Sequence, residues 1–201
     1  MQQQPGGRRF ERIVVLGSNG TMGLGSAAQF TATGAHVTFL ARSREKAAQG
    51  LASAIRQVRS PTVGRNAAVG DYGEDLDRAV READLIFEAL TEDAELKRAM
   101  YERIDALRRD DAVVASVTSG LSIASLAEGR SASFRRHFMG LHLFNPPNVI
   151  VGTELVAGPN TDPRLLDEVE AWASKALGRV MVRTADTPGF AGNRIGFKVL
   201  N

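Results

Sequence analysis

The chain has 201 residues, 43% of them hydrophobic and 24% charged, a composition typical of a soluble globular protein with one domain. It has no cysteine and three histidines, His36, His137 and His142, which excludes disulfides, thiolate catalysis, cysteine-ligated zinc and a histidine-rich metal site. The formal charge of +2, from 25 basic and 23 acidic residues, argues against nucleic acid as a partner.

The N-terminal segment is polar. Residues 1–11 predict a loose tail, and no apolar segment follows them as in a signal peptide. No apolar run in the sequence approaches the length that spans a bilayer. We therefore expect a cytoplasmic protein without a membrane partner.

Apolar runs alternate with amphipathic stretches from Ile13 to about Val182. The predicted strands cover 12–17, 36–42, 66–72, 84–90, 112–118, 138–144, 153–159 and 178–185. The predicted helices cover 21–33, 44–58, 74–82, 93–108, 122–128 and 162–177. Because parallel neighbours need a crossover between them, this alternation predicts a doubly wound, mostly parallel sheet with helices on both faces. Ligands of such α/β sheets bind beyond the carboxyl ends of the strands.

The turn after the first strand reads Gly-Ser-Asn-Gly-Thr-Met-Gly at 17–23, one residue longer than the usual dinucleotide fingerprint. Glycine lets the backbone approach a pyrophosphate, and the amides of the following helix point at it. A tight turn alone could also require glycine, but the strand before it and the helix after it favour a dinucleotide site. The predicted cofactor-binding residues here are Gly17, Ser18, Gly20, Thr21, Met22 and Gly23.

The second strand ends in Ala41-Arg42-Ser43-Arg44. NAD sites usually place an acid there, about 20 residues after the glycines, to bind the adenosine ribose. Two guanidinium groups and a hydroxyl suit a 2′-phosphate instead. Arg42, Ser43 and Arg44 therefore predict NADP as the preferred cofactor. NAD is the alternative if both arginines are ordinary solvated residues.

His142 ends an apolar run, and Glu154 follows it twelve residues later. A histidine at a strand end can act as a general base, and a carboxylate on its other ring nitrogen would fix its tautomer. A satisfied core histidine is the alternative interpretation of His142. His36 and His137 are interpreted in that second way.

Four longer motifs follow in order along the chain: "FEALTEDAELK", "VASVTSGLSIASLA", "GLHLFNPPNVIVGTELV" and "ALGRVMVRTADTPGFAGNR". With the glycine loop, they resemble the NAD-binding domain of the L-3-hydroxyacyl-CoA dehydrogenases over about residues 12–196. The resemblance implies a Rossmann-like fold over 12–187, an acyl-CoA substrate and a place in fatty-acid β-oxidation.

The same resemblance implies roles for individual residues. His142 would take the proton of the substrate hydroxyl while hydride passes from C3 to the nicotinamide, and Glu154 would orient it. Ser119 would bind the 3-oxygen, Asn145 would hold substrate and nicotinamide in register, and Asn193 would close the site.

Two further residues carry over as cofactor contacts. Glu92 would lie near the nicotinamide ribose, and Lys97 would contact cofactor or substrate. Capping positions for Asn145 and Asn193, and exposed helix positions for Glu92 and Lys97, are the alternatives.

The sequence departs from the family pattern in several places. Val117 stands where the family has a polar residue, Ala41 replaces its usual aspartate, and the segment between Arg42 and Val69, where the family binds coenzyme A, is shorter. Residues 188–201 read as the start of a linker and helix toward a helical C-terminal domain, which in the family forms a homodimer. A chain that ends at Asn201 is expected to bind nucleotide better than it turns over substrate.

Two other functions stay open. One is an NADP-linked reductase of a 3-hydroxy acid that is not a coenzyme A thioester. The other is a non-catalytic nucleotide-binding module of a multidomain protein, which would have no need of a base and its orienting carboxylate.

Overall fold

The computed structural model describes residues 8–60 and 62–200. Its strands are β1 (Arg12–Leu16), β2 (His36–Ala41), β3 (Ala67–Asp71), β4 (Leu85–Glu88), β5 (Val113–Ser116), β6 (Phe138–Leu143), β7 (Gly152–Ala157) and β8 (Val180–Thr184). Its helices are α1 (Thr21–Ala32), α2 (Arg44–Val58), α3 (Thr62–Arg65), α4 (Leu76–Glu82), α5 (Ala94–Leu107), α6 (Ile123–Leu126), α7 (Ala132–His137), α8 (Pro163–Ala176) and α9 (Gly192–Leu200). Every predicted strand is present, shortened at one or both ends.

The strands form one sheet in the order β3-β2-β1-β4-β5-β6-β7-β8. All neighbours are parallel except β6 and β7, so the predicted mostly parallel, Rossmann-like sheet is confirmed. The segment between Leu143 and Gly152 carries no helix and is too short for a parallel crossover, so β7 returns antiparallel to β6. This return places His142 directly opposite Glu154.

Helices cover both faces of the sheet, and each face has its own apolar core. On one face, Phe30 packs edge-on against Phe87 at 5.0 Å and lies 5.9 Å from Trp172. On the other face, Tyr101 and Phe134 both contact Phe138, at 5.0 and 5.1 Å between ring centroids. Strands buried on both sides explain the nearly continuous apolar runs of β1, β4 and β5.

The N-terminal segment differs from the loose tail that we expected. Residues 1–7 lie outside the described residues, but Phe10 is 4% exposed and packs edge-on against Trp172 at 4.7 Å. Arg8 reaches the carbonyl of Asp111. Residues 8–11 therefore belong to the packed domain, because Phe10 buries its ring against α8.

Two short helices and two histidines also correct the sequence-based expectations. The helices α3 and α7 were not predicted, since helices of one or two turns carry little periodic pattern. His36 begins β2 but is exposed, and His137 ends α7 only half-buried, so neither is a core histidine.

Among the described residues, no helix combines the length and the hydrophobicity needed to cross a bilayer.

Candidate active site

A cleft of about 520 Å³ opens at the carboxyl ends of β1 and β4. The strand order reverses between these two strands, and ligands of open α/β sheets bind at such a switch point. The predicted site residues that line this cleft are Gly17, Gly20, Thr21, Met22, Arg42, Glu92 and Ser119. Val117, the departure from the family pattern, lines it as well.

Two glycines of the loop are required by packing. Gly17 has a φ of +73°, and a Cβ there would lie 2.2 Å from the carbonyl oxygen of Ala89. A Cβ on Gly23 would lie 2.2 Å from the carbonyl oxygen of Gly17. Gly23 therefore lets α1 close onto the loop. We predicted Gly23 as a direct cofactor contact, but in this geometry it acts indirectly, by allowing the close approach of α1 to the loop.

Ser18 departs from its predicted role as well. Its side chain is fully buried and donates to the carbonyl oxygen of Leu40 at 3.0 Å. The hydroxyl therefore ties the loop to β2 and does not reach the cleft.

The N-terminus of α1 faces the cleft with its amides free. Gly20 is the N-cap, and no side chain makes a capping hydrogen bond there. The first turn holds no acidic residue, and within residues 8–60 and 62–200 the amides of Thr21 and Met22 have no protein acceptor. Unsatisfied amides at the positive end of the helix dipole suit an anion such as a pyrophosphate.

The end of β2 separates the two arginines that we expected to act together. Arg42 lines the cleft, whereas Arg44 donates to Asp75 Oδ2 at 2.7 Å. Ser43 caps α2, where its hydroxyl accepts from Lys46 N at 3.3 Å. Of the three predicted phosphate ligands, the structure therefore brings Arg42 to the cleft, whereas Ser43 and Arg44 contact protein partners.

Glu92 joins the cleft to the segment after β5. Its Oε1 accepts hydrogen bonds from Thr118 Oγ1 at 2.6 Å and from Ser119 N at 2.8 Å. Its Oε2 lies 3.5 Å from Lys97 Nζ. Glu92 lines the cleft and fixes the backbone that carries Ser119.

Lys97 corrects two expectations at once. Its side chain is 0% exposed, so it is neither an exposed helix residue nor accessible to a ligand in this conformation. Its ammonium donates to Glu88 Oε1 at 2.6 Å, and Glu88 is equally buried. A charge taken out of water needs such a partner, which is why the pair occurs together.

Sequence reasoning missed the network around Glu88. This carboxylate also accepts from Leu90 N and Ser116 Oγ, each at 2.6 Å, and from the hydroxyl of Tyr101. Burial, with Glu88 adding to it, raises the pKa of Tyr101 well above its usual range. The available signal was a carboxylate inside the otherwise apolar run of β4.

His142 and Glu154 form a buried pair on neighbouring strands. His142 Nδ1 lies 2.7 Å from Glu154 Oε2, and the two residues are 4% and 3% exposed. The other carboxylate oxygen, Oε1, accepts from Ala191 N at 2.9 Å and Gly192 N at 2.8 Å, where α9 begins. The carboxylate is therefore held from both sides.

This pairing decides the chemistry of the imidazole. A carboxylate on Nδ1 favours the tautomer with its proton on that atom, which leaves the lone pair of Nε2 free to accept a proton. Once protonated, the ring would be stabilised by Glu154. The rings of Phe144 and Phe190 lie 4.8 and 5.8 Å from the imidazole and shield it from water. The pair can act as a general base.

Of the two remaining predicted site residues, Asn193 is bonded to the backbone of the cleft and Asn145 is not. Asn193 Nδ2 donates to Ser119 O at 2.8 Å, which connects α9 to the cleft. Asn145 is exposed on the segment after β6, and its side chain makes no hydrogen bond to the part of the chain that the structure describes.

The segment that carries Asn145 is anchored by the buried Arg179, which donates to Pro147 O and Ile150 O at 2.6 Å each. Burial lowers the pKa of Arg179.

Tyr72 is a cleft residue that sequence reasoning also missed. Its hydroxyl accepts a hydrogen bond from Gly17 N at 2.8 Å. Tyr72 directly follows β3, and inspecting the residue after every strand would have identified it.

Known proteins similar to this chain carry the same kind of nucleotide-binding domain. Residues 12–187 match the family described as 3-hydroxyacyl-CoA dehydrogenase, NAD binding domain. A probable 3-hydroxyacyl-CoA dehydrogenase of Bacillus subtilis (strain 168) is 32% identical over 94% of this chain, which spans 27% of that relative's length.

Two solved structures are similar as well. The (S)-3-hydroxybutyryl-CoA dehydrogenase of Ralstonia eutropha superposes with a TM-score of 0.85 and 28% identity, covering 96% of this chain and 70% of its own. An NAD⁺-dependent dehydrogenase of 5-formyl-3-hydroxy-2-methylpyridine 4-carboxylic acid superposes with a TM-score of 0.82 and 29% identity, covering 96% and 63%.

Proposed function

Because the chain belongs to the family of 3-hydroxyacyl-CoA dehydrogenase NAD-binding domains, we propose that it oxidises the C3 hydroxyl of a 3-hydroxyacyl thioester, with His142 as general base. The observation that carries this proposal is the buried contact of His142 Nδ1 with Glu154 Oε2 at 2.7 Å. A domain that only bound nucleotide would have no need of this pair.

The cleft fits a nicotinamide dinucleotide. The free amides of Thr21 and Met22 would bind the pyrophosphate, and a Cβ on Gly20 would meet only the carbonyl of Gly17, at 3.4 Å, so the ligand side there is open. When bound, the nicotinamide supplies a hydride acceptor for C3.

Residues of the chain accept the proton of the substrate and hold the substrate in position. His142 Nε2 takes the proton of the 3-hydroxyl as the C3–H bond gives up its hydride, and C3 becomes a carbonyl. Glu154 stabilises the imidazolium that results. Ser119 binds the 3-oxygen, while Asn193 holds the backbone of Ser119 through the hydrogen bond of 2.8 Å. Asn145, on the neighbouring segment, keeps substrate and nicotinamide in register.

Turnover by the wild type and His142→Gln tests the base. With (S)-3-hydroxybutyryl-CoA and an oxidised dinucleotide, we expect the variant to lose about 10²- to 10⁴-fold in kcat, the usual contribution of a general base. Dinucleotide affinity, measured by calorimetry, is expected to stay unchanged, because the pair lies outside the cleft. A variant with wild-type turnover would contradict the assignment.

Free 3-hydroxybutyrate in the same assay addresses a second candidate. The similar dehydrogenase of a pyridine carboxylic acid acts on a compound that is not a thioester. Together with the short segment between Arg42 and Val69, this favours testing an NADP-linked reductase of free hydroxy acids. Turnover of the free acid alone would support it, and dinucleotide binding without any turnover would support a non-catalytic module.

NADP is the proposed preferred cofactor, on the strength of Arg42. Ala41 ends β2 without a carboxylate, and Arg42 lines the cleft beside it. The nearest acid in the sheet register is Asp71 on β3, but its Oδ1 already accepts from Gly73 N and Glu74 N at 2.8 Å each. These amide hydrogen bonds lower the pKa of Asp71.

The variant Arg42→Ala tests the preference for NADP, and Arg44→Ala is its matched control. We expect Arg42→Ala to weaken NADPH binding about tenfold or more, as loss of a charge-assisted hydrogen bond does, and to leave NADH binding unchanged. Arg44→Ala should change neither, because Arg44 is paired with Asp75. Tighter binding of NADH by the wild type would contradict the preference and leave the family's NAD as the cofactor.

A further inference from the structure

Tyr72 reaches from one side of the sheet to the first glycine of the loop. Its backbone N–H donates to Ala41 O at 3.2 Å, so it continues the pairing of β3 with β2. Its phenolic oxygen accepts from Gly17 N at 2.8 Å. A residue beside β2 therefore holds the turn that follows β1, two strands away in the sheet.

This contact changes which amides the lengthened loop can offer. Gly20 N donates to Gly17 O at 3.0 Å and closes the loop on itself. Gly17 N is taken by Tyr72, so neither of these glycine amides is free for a ligand. The amides of Thr21 and Met22, at the start of α1, have no acceptor in the ranges that the structure covers. The loop therefore pairs the amides of Gly17, Ser18 and Gly20 within the protein and leaves those at the start of α1 for an anion.

Tyr72 is fixed before any ligand arrives. Arg103 Nη1 donates to Tyr72 O at 2.7 Å, and Arg103 Nη2 lies 2.6 Å from Asp77 Oδ1. Burial raises the pKa of Tyr72 to about 12, so the phenol stays protonated at neutral pH. It can then accept from Gly17 N with its oxygen and direct its own proton toward Leu40 O, 3.4 Å away.

We propose that Tyr72 is the residue that adapts the lengthened loop to a dinucleotide: its hydroxyl satisfies the Gly17 amide and fixes the loop, so that the first amides of α1 receive the pyrophosphate. Its ring forms the wall of the cleft next to Arg42, at the end predicted for the adenosine. Tyr72 is thus a positioning residue for the cofactor. The inference rests on the proposed dinucleotide binding.

Glycine amide NMR of the ligand-free protein tests the contact itself. Tyr72→Phe keeps the ring and removes only the hydroxyl. With ¹⁵N-glycine labelling, we expect the variant to shift the Gly17 amide and to speed its hydrogen exchange. Gly129 and Gly178, which lie far along the chain in other turns, serve as internal controls and should not move. An unchanged Gly17 amide would overturn the inference.

Calorimetry with three ligands tests the consequence. Tyr72→Phe is expected to weaken NADPH, NADH and ADP-ribose by the same factor, about three- to tenfold, as loss of one hydrogen bond predicts. Tyr72→Leu, which also removes the ring, should weaken ADP-ribose further. If the substitution only destabilised the fold, the unfolding midpoint would fall, but the affinities for the three ligands would not fall by a common factor.

The outcomes separate this inference from the proposed function. Wild-type affinity in Tyr72→Phe, with the wild type binding dinucleotides, would overturn the role of Tyr72 and leave the proposed function intact. A wild type that binds no dinucleotide would overturn both.

Discussion

Glu154 satisfies three donors with two oxygens: the imidazole of His142 and the amides of Ala191 and Gly192. Because Ala191 and the first residue of α9 supply two of these donors, the carboxylate cannot rotate without leaving part-buried amides unpaired. The imidazole is therefore oriented by β7 and α9 together. This is the support that a general base needs to stay in the productive tautomer.

The buried pair of Lys97 and Glu88 makes a residue-scale prediction about stability. Lys97→Met leaves a fully buried carboxylate without its cation. We expect the free energy of unfolding to fall by about 3 to 5 kcal/mol, measured by urea denaturation.

The matched control is the double variant Lys97→Met with Glu88→Gln. Removing both charges leaves no uncompensated ion, so it should recover a large part of the loss. A single variant as stable as the wild type would show that Glu88 is not held by Lys97.

The two buried pairs of the site differ in how far the sequence predicted them. The pairing of His142 with Glu154 was predicted from the resemblance of their motif to the family, and the structure places the two residues opposite each other because the consecutive strands β6 and β7 pair directly. The burial of Lys97 was not readable. It depends on Glu88, which lies on another element and joins it only through the packing of α5 on the sheet.

At the scale of elements, hydrophobic periodicity was sufficient to predict the strands and the long helices. All eight strands and the helices α1, α2, α5 and α8 follow their predicted positions to within about two residues. The helix expected after Pro188 is present as α9. The one-turn helix α3 and the two-turn helix α7 escaped prediction, because tertiary contacts and caps such as Ser131 define them more than any repeating pattern.

The close approach of α1 to the glycine loop makes a prediction at this scale. A Cβ on Gly23 would meet the backbone oxygen of Gly17 at 2.2 Å, and a backbone atom cannot move aside as a side chain can. We expect Gly23→Ala to lower the free energy of unfolding by about 1 to 3 kcal/mol and to displace the loop. Dinucleotide affinity should fall with it, by calorimetry.

Gly196→Ala is the control for this substitution. It also replaces a helical glycine, but a Cβ there meets no atom of the described part of the chain within 4 Å. It should be neutral or slightly stabilising, because alanine is the better helix former. Equal effects of the two substitutions would refute the packing role of Gly23.

For the whole molecule, the strand order assembles the site. The switch point between β1 and β4 forms the cleft, and the antiparallel return of β7 adds the His142–Glu154 pair beyond it. Asn193, bonded to Ser119, links the two. The exposed side chains of Val182 on β8 and Ile195 on α9 line one surface pocket at the end of the chain where a helical domain was predicted; that domain and its homodimer stay predictions.

The most direct test of this account is the fate of the hydrogen on C3. The protein is incubated with an oxidised dinucleotide and (S)-3-hydroxybutyryl-CoA that carries deuterium at C3, and the reduced dinucleotide is analysed by mass spectrometry. We predict that the deuterium appears in the reduced dinucleotide and that His142→Gln slows the transfer by about 10²- to 10⁴-fold. A reduced dinucleotide without deuterium, or no transfer by the wild type, would contradict the proposed oxidation at C3.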